Sequence, residues 1–376
     1  MSVRTYPESK SIDPAAIERE LARIWSSMND LQEGQAITRA AMSNVIIFCR
    51  GETHAEQVTE RIPLLIEHHP ARLLMLVMSE PGEARDMHAS VSAHCRQIKG
   101  DKQLCAEHIE LQFNEHNVER AAAVLRTLLI ADLPTALWWV SPEPPVLSGH
   151  VFNVLAGMSH QIIYDSVGWP DPIAGIQAMA KWALGGNKVL FNLAWRRLKP
   201  WRRILSQTLA PSSVPGALEN LVRINVRHGP HALPMVWLLI GWLGSRLGWS
   251  VDNGRTRGGN HLEWSFRSHR GLVQVDVRRS EQGIPNIEDI DIFWNTHDGS
   301  EAAESSGHAG YRQEGHHLRC YPGDSAKLPT SIPVGNPRPE QMVAAQLAHR
   351  AGDTLFEDAL SISQNMGRVI DANGKF

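Results

Sequence analysis

A chain of 376 residues with 43% hydrophobic and 20% charged residues has an ordinary globular composition and length for about two domains. Its net charge of −3 supplies no overall basic field for nucleic acid. The apolar run at 232–244 is shorter than the roughly 18 residues that cross a bilayer, so a buried helix is expected there and no membrane association.

An Asp13-Pro14 helix start, with Asp as cap and Pro in the first turn, leads into a stripe of Ile17, Leu21, Ile24 and Met28. Residues 44–49 form a β-branched run that reads as a buried strand; a helix is expected over 52–68 and a second buried strand over 72–78. Residues 91–95 and 103–111 read as a strand pair around a polar turn at 99–102. Asn117 is expected to cap a helix carrying Val118, Ala122, Leu125 and Leu129. Strands at 135–140, 161–165 and 189–193 then alternate with helices at 148–160 and 172–184. Alternation of this kind predicts a mostly parallel, doubly wound-like α/β domain.

After a Pro/Ser-rich linker at 211–216 the rhythm changes. Residues 221–227, 261–267 and 272–278 alternate apolar and charged side chains, the pattern of strands with one wet face. A helix through Trp237, Ile240 and Leu247, a strand at 287–295, a polar loop at 299–310, an edge strand at 316–321 and a closing helix at 342–362 complete a smaller α+β domain with an antiparallel sheet. The expected division is an N-terminal helical segment (1–38), the α/β domain (39–210) and the α+β domain (217–376).

No GxGxxG follows a strand, and GxxxxGK[ST], GxSxG and HExxH are absent, so no catalytic, cofactor-binding or metal-binding residue is assigned. Cys49, Cys95, Cys105 and Cys320 are too few for a disulfide scaffold and contain no CxxC. With no apolar signal core in the first thirty residues, a reducing, cytoplasmic setting is expected. His94, Cys95, Cys105 and His108 have the residue types of a zinc site. Adjacent strand residues point to opposite faces, however. Two buried strand cysteines with partly exposed histidines is the leading reading, and a Cys95/Cys105 redox pair is a second alternative. His228, Glu263 and Asp276 would form an acid–base group only if the second sheet brought them together. The densest signal is residues 195–203, with five positive charges and two Trp in nine residues. It reads either as a helix start with Trp201, Ile204 and Leu205 packed inward, or as a surface for a partner protein or a phosphorylated ligand.

Together the segments around 44–49, 69–72, 90–95, 104–111, 132–139, 163–166, 193–202 and 240–249 resemble, in order, the glucose-6-phosphate dehydrogenase assembly proteins of the OpcA family. The resemblance covers about residues 12–362. It implies a non-catalytic protein of the oxidative pentose phosphate pathway. Such a protein binds glucose-6-phosphate dehydrogenase, needs no cofactor, and activates it allosterically by favouring its active oligomer. The candidate partner-contact residues are Trp138, Trp139, Asp165, Ser166, Trp195, Arg196, Arg197, Trp201 and Arg202; the alternatives are core packing for Trp138 and Trp139 and a cap of the next helix for Asp165 and Ser166. The alternative is a sugar-phosphate- or nucleotide-binding enzyme or sensor on the α/β domain, using the arginines of 196–203. Lys199, before the motif proline, is a poor helix cap.

Overall fold

The computed structural model describes residues 2–5, 12–31, 36–80, 86–97, 102–296, 305–324 and 328–373. The turn expected at 99–102 and part of the loop expected at 299–310 lie outside them. The chain divides into two compact units. Unit 1 holds residues 1–165, 187–193 and 337–352; unit 2 holds 166–186, 194–336 and 353–376. The chain thus passes between units several times instead of once near 211–216. The helices at 172–184 and 199–208 bury their apolar faces in unit 2, and the two units are equal in length.

Unit 1 contains β1 (Ser2–Thr5), α1 (Pro14–Leu31), β2 (Ala36–Arg39), β3 (Asn44–Arg50), α2 (Glu52–Thr59), α3 (Ile62–His68), β4 (Arg72–Met78), β5 (His88–Gln97), β6 (Lys102–Phe113), α4 (Val118–Leu128), β7 (Thr135–Trp139), α5 (His150–Gly157), β8 (Gln161–Tyr164) and β9 (Val189–Asn192). The six strands β6-β4-β3-β7-β8-β9 are all parallel. Their order is the 3-2-1-4-5-6 arrangement of doubly wound dinucleotide-binding sheets. At the β6 edge, β5 joins antiparallel and β1 pairs antiparallel with β5, while β2 lies parallel to β6. The N-terminal 1–38 is therefore no separate helical segment. Its described parts are two strands of this sheet and α1, whose Ile17, Leu21 and Ile24 are buried. Asp13 Oδ1 accepts from Ala15 N at 3.1 Å, as a cap.

β3, β4 and β7 are buried on both faces, which explains their unbroken apolar runs. One face (Val45, Ile47, Met75, Trp138) packs with α2, α3 and the later α10 (Pro339–His349). On the other, Phe48 stacks on Trp139 at 4.0 Å and Trp139 meets Phe152 of α5 edge-on. Two local expectations are corrected. The helix over 52–68 is broken at 60–61, ahead of Pro63. The helix cap lies earlier than Asn117, at Asn114, whose side chain accepts from His116 N within a leading 3-10 turn.

Unit 2 contains α6 (Pro172–Leu184), α8 (Lys199–Thr208), β10 (Leu221–His228), α9 (Leu233–Leu247), β11 (Ser250–Thr256), β12 (His261–Ser268), β13 (Gly271–Arg279), β14 (Ile287–Thr296), β15 (Ser305–Glu314), β16 (His317–Pro322), β17 (Thr330–Pro333) and α11 (Thr354–Asn373). A short helix α7 (Leu193–Arg197) leads into α8. The sheet order is β11-β12-β13-β10-β14-β15-β16-β17. Every pair is antiparallel except β10–β13. The stretch expected as a loop at 299–310 contributes β15 from Ser305. The expected edge strand β16 is interior, because β17 pairs beyond it. The closing helix is two helices, broken where Arg350 takes a positive φ of 50°. Trp237 and Trp264 pack at 5.1 Å, and their indole nitrogens donate to Ser363 O and Met366 O of α11.

Candidate functional site

Dinucleotide-binding sheets hold their ligand where the strand order reverses, here at the carboxyl ends of β3 and β7. Residue Gly51 follows β3 with φ 77° and begins α2. The surroundings are acidic. Glu52 stands in the first turn of α2, a Cβ on Gly51 would meet Glu80 Oε1 at 3.2 Å, and Glu143 beyond β7 pairs with Arg50 at 3.2 Å. Carboxylates suit a helix N-terminus, but they repel the diphosphate that such an end otherwise attracts.

The basic stretch 195–203 is half interior. Trp195 and Trp201 are each 2% exposed. Trp195 Nε1 donates to Asp353 Oδ2 at 2.7 Å, and the ring lies 5.6 Å from Phe356. The Arg202 guanidinium sits 3.5 Å above the Trp195 ring, a cation–π contact. Burial pulls its pKa down to about 10, against the pull of Asp353. Arg202 therefore keeps its charge at neutral pH. On α8, Trp201, Ile204 and Leu205 face inward, while Lys199 and Arg203 are exposed. Arg196 and Arg197 are half-buried. Lys199 is the first helical residue and Leu198 the cap, without a side-chain cap bond; Pro200 follows in the first turn, where its missing N–H needs no partner.

The other expected contact residues divide the same way. Trp138 and Trp139 lie on opposite faces of β7, 4% and 2% exposed, and Trp139 Nε1 donates to Glu143 O. Ser166 is fully buried, and Asp165 is partly exposed at the end of β8. Neither caps α6; Asp171 does, accepting from Ala174 N at 3.0 Å. Burial thus removes Trp138, Trp139, Ser166, Trp195 and Trp201 from any surface available in this conformation. Asp165, Arg196, Arg197 and part of Arg202 remain. The sequence could not point to Asp353, which lies 158 positions from the Trp it holds.

The cysteine–histidine group is resolved by register. Cys95 opposes Cys105, and the two form a disulfide across β5 and β6. His94 and His108 occupy the opposite face, where His94 Nε2 lies 3.2 Å from His108 Nδ1 and Ser92 Oγ reaches both. The four side chains cannot share one ion. The leading reading is corrected on both counts: the histidines are buried instead of partly exposed, and the cysteines are bonded, with Cys95 half-buried, which runs against the reducing setting expected from the sequence. Burial holds His94 down to about 4.

In unit 2 the group that forms around Glu263 and Asp276 includes His261, and not His228. His261 Nε2 is 2.6 Å from Asp276 Oδ2. The three residues could surround a cation, but Arg255 and Arg257 already hold Glu263, and Arg278 holds Asp276 at 2.9 Å. Three guanidiniums offset the two carboxylates, so the arrangement is an ion-pair lattice on the wet face of the sheet.

Two family models match: the glucose-6-phosphate dehydrogenase subunit N-terminal domain over residues 64–181 and the corresponding C-terminal domain over 188–360. The chain belongs to the OpcA family. A relative from Synechococcus elongatus, named an OxPP cycle protein OpcA, is 24% identical over 316 residues, 80% of this chain and 68% of that protein. One of the same name from Nostoc punctiforme is 26% identical over 227 residues, 60% of this chain. The chain spans 47% of the length of that second relative. Among solved structures, an oxidoreductase from Sinorhizobium meliloti overlaps 89% of this chain and 99% of its own, with 11% identity and a TM-score of 0.48. That likeness carries no functional assignment. Among the described residues no helix is long and apolar enough to cross a membrane.

Proposed function

We propose that this chain is a non-catalytic assembly factor that binds glucose-6-phosphate dehydrogenase in the cytoplasm and activates it by favouring its active oligomer. The observation that carries the reading is the pair of family matches running from residue 64 to residue 360. The acidic helix start after β3 supports it, since the doubly wound sheet then lacks its usual anion cradle. For the contact surface, the exposed Lys199 and Arg203 with the half-buried Arg196 and Arg197 favour an acidic partner patch. Arg is well suited to such carboxylate recognition. Linkage sets the size of the effect: activation is bounded by the difference in affinity for active and inactive forms, typically about 1–3 kcal/mol.

The test is a titration of dilute glucose-6-phosphate dehydrogenase from the same organism, following NADPH formation and particle mass together. Saturable activation with a rise in mass is expected; no change in either signal refutes the reading. The double variant Arg196→Glu/Arg203→Glu is expected to weaken binding by about tenfold at low salt, mostly through the association rate. Unaltered affinity would remove this face from the interface.

A further inference from the structure

Unit 2 carries a partly open cavity of about 630 Å3, away from the basic stretch 195–203. It opens where the parallel pair β10 and β13 ends, with His228 beside Arg279 in register. The turn between β11 and β12 and the first residues of α6 close its other sides. Trp169, Leu233, Leu262 and Val277 give it an apolar wall. A few polar groups on a mostly apolar wall, at this size, is the usual build of a small-molecule site.

The polar groups specify what would fit. His228 lines the cavity and is 2% exposed. Its Nδ1 lies 2.8 Å from the Gly229 carbonyl oxygen. A carbonyl only accepts, so Nδ1 carries the proton and Nε2 presents a lone pair. Burial, with Arg279 nearby, lowers the pKa of this ring and keeps it neutral. With Nδ1 engaged, Nε2 is the ring atom left to accept from an occupant of the cavity. His261 also lines the cavity with Nε2 engaged by Asp276, leaving Nδ1. Arg279 supplies a cationic side chain at an exposed position. The cavity's one lining carboxylate, Asp171, spends Oδ1 on capping α6. The occupant must therefore bring a hydroxyl donor for His228, an anionic group for Arg279, and a carbon face for the Trp169 wall.

We infer that this cavity binds a monosaccharide phosphate, its phosphate on Arg279, a ring hydroxyl donating to His228 Nε2, and its C–H face toward Trp169. The inference does not rest on the assembly reading, because its test uses the full chain alone. Calorimetry and thermal shift are measured with glucose 6-phosphate, glucose, inorganic phosphate and AMP as probes. Saturable binding is expected for glucose 6-phosphate, and weaker binding for the other three. Arg279→Ala should weaken glucose 6-phosphate by at least about tenfold and leave glucose unchanged. His228→Gln should weaken both sugars. The exposed position of Arg279 keeps the test valid if the His228 variant does not fold. Absence of glucose 6-phosphate binding, an unchanged affinity in Arg279→Ala, or equal or tighter binding of phosphate or AMP would each overturn the assignment.

Discussion

If Trp195 and Arg202 are internal braces of unit 2, their stability should depend on one distant carboxylate. Asp353 does three things. Its Oδ2 accepts from Trp195 Nε1 at 2.7 Å, its Oδ1 caps α11 by accepting from Leu355 N at 3.0 Å and Phe356 N at 3.2 Å, and its charge faces Arg202. Asp353→Ala removes all three. Loss of a cap costs about 1 kcal/mol, and a buried donor left unsatisfied about 1–3 kcal/mol; about 3 kcal/mol in all is expected, since coupled groups do not add fully. Asp353→Asn keeps a single acceptor oxygen, so either the α11 cap or the Trp195 donor is left facing the NH2 group, and about 2 kcal/mol is expected. Native-state hydrogen exchange of the α11 amides reads these as changes in opening free energy. Less than about 1 kcal/mol for Ala would refute the brace.

Two further outcomes follow from packing and burial. His94 has its folded pKa lowered to about 4 from an ordinary 6.5. Its contribution is thus complete above pH 6.5 and lost as pH falls toward 4, by up to about 3 kcal/mol. Denaturation midpoints at pH 7 and 4.5 should diverge more in the wild type than in His94→Gln, and parallel behaviour would contradict this. Gly241 on α9 approaches α11 so closely that an added Cβ would meet Ala359 O at 2.5 Å and Ser363 Oγ at 2.6 Å. Gly241→Ala, which gains about 1 kcal/mol in an open helix, should here lower stability by about 2 kcal/mol; a raised melting temperature would show that the helices can part.

The parallel sheet was legible because its strands are buried on both faces and its helices carry stripes at the helical period, as in 72–78 and 172–184. The alternating strands β10, β12 and β13 were legible for the complementary reason, one wet face each. β11, β15 and β17 were not. β11 reads Ser-Val-Asp-Asn-Gly-Arg-Thr, β15 is rich in small polar residues, and β17 is four residues at an edge. Such segments become strands through their neighbours' hydrogen bonds, with little preference of their own. The unit boundaries were hidden because they depend on which sheet a helix finds: α6 and α10 each leave the unit that precedes them in sequence.

The basic stretch carries the same ambiguity into the function. Trp and Arg in alternation mark an interface core and a helix packed by its indoles equally well, since both bury aromatic area and both keep charge at the edge. Only the exposure of individual positions separates the two. Within four residues of α8 the side chain of Trp201 is core and that of Arg203 is surface. Substitutions at Trp195, Trp201 or Asp353 would weaken activation by unfolding unit 2 and would imitate an interface defect. Charge reversal at Arg196 and Arg203 leaves the buried indoles in place. A loss of activation there, with hydrogen exchange in α8 and α11 unchanged, is what distinguishes a contact from a support.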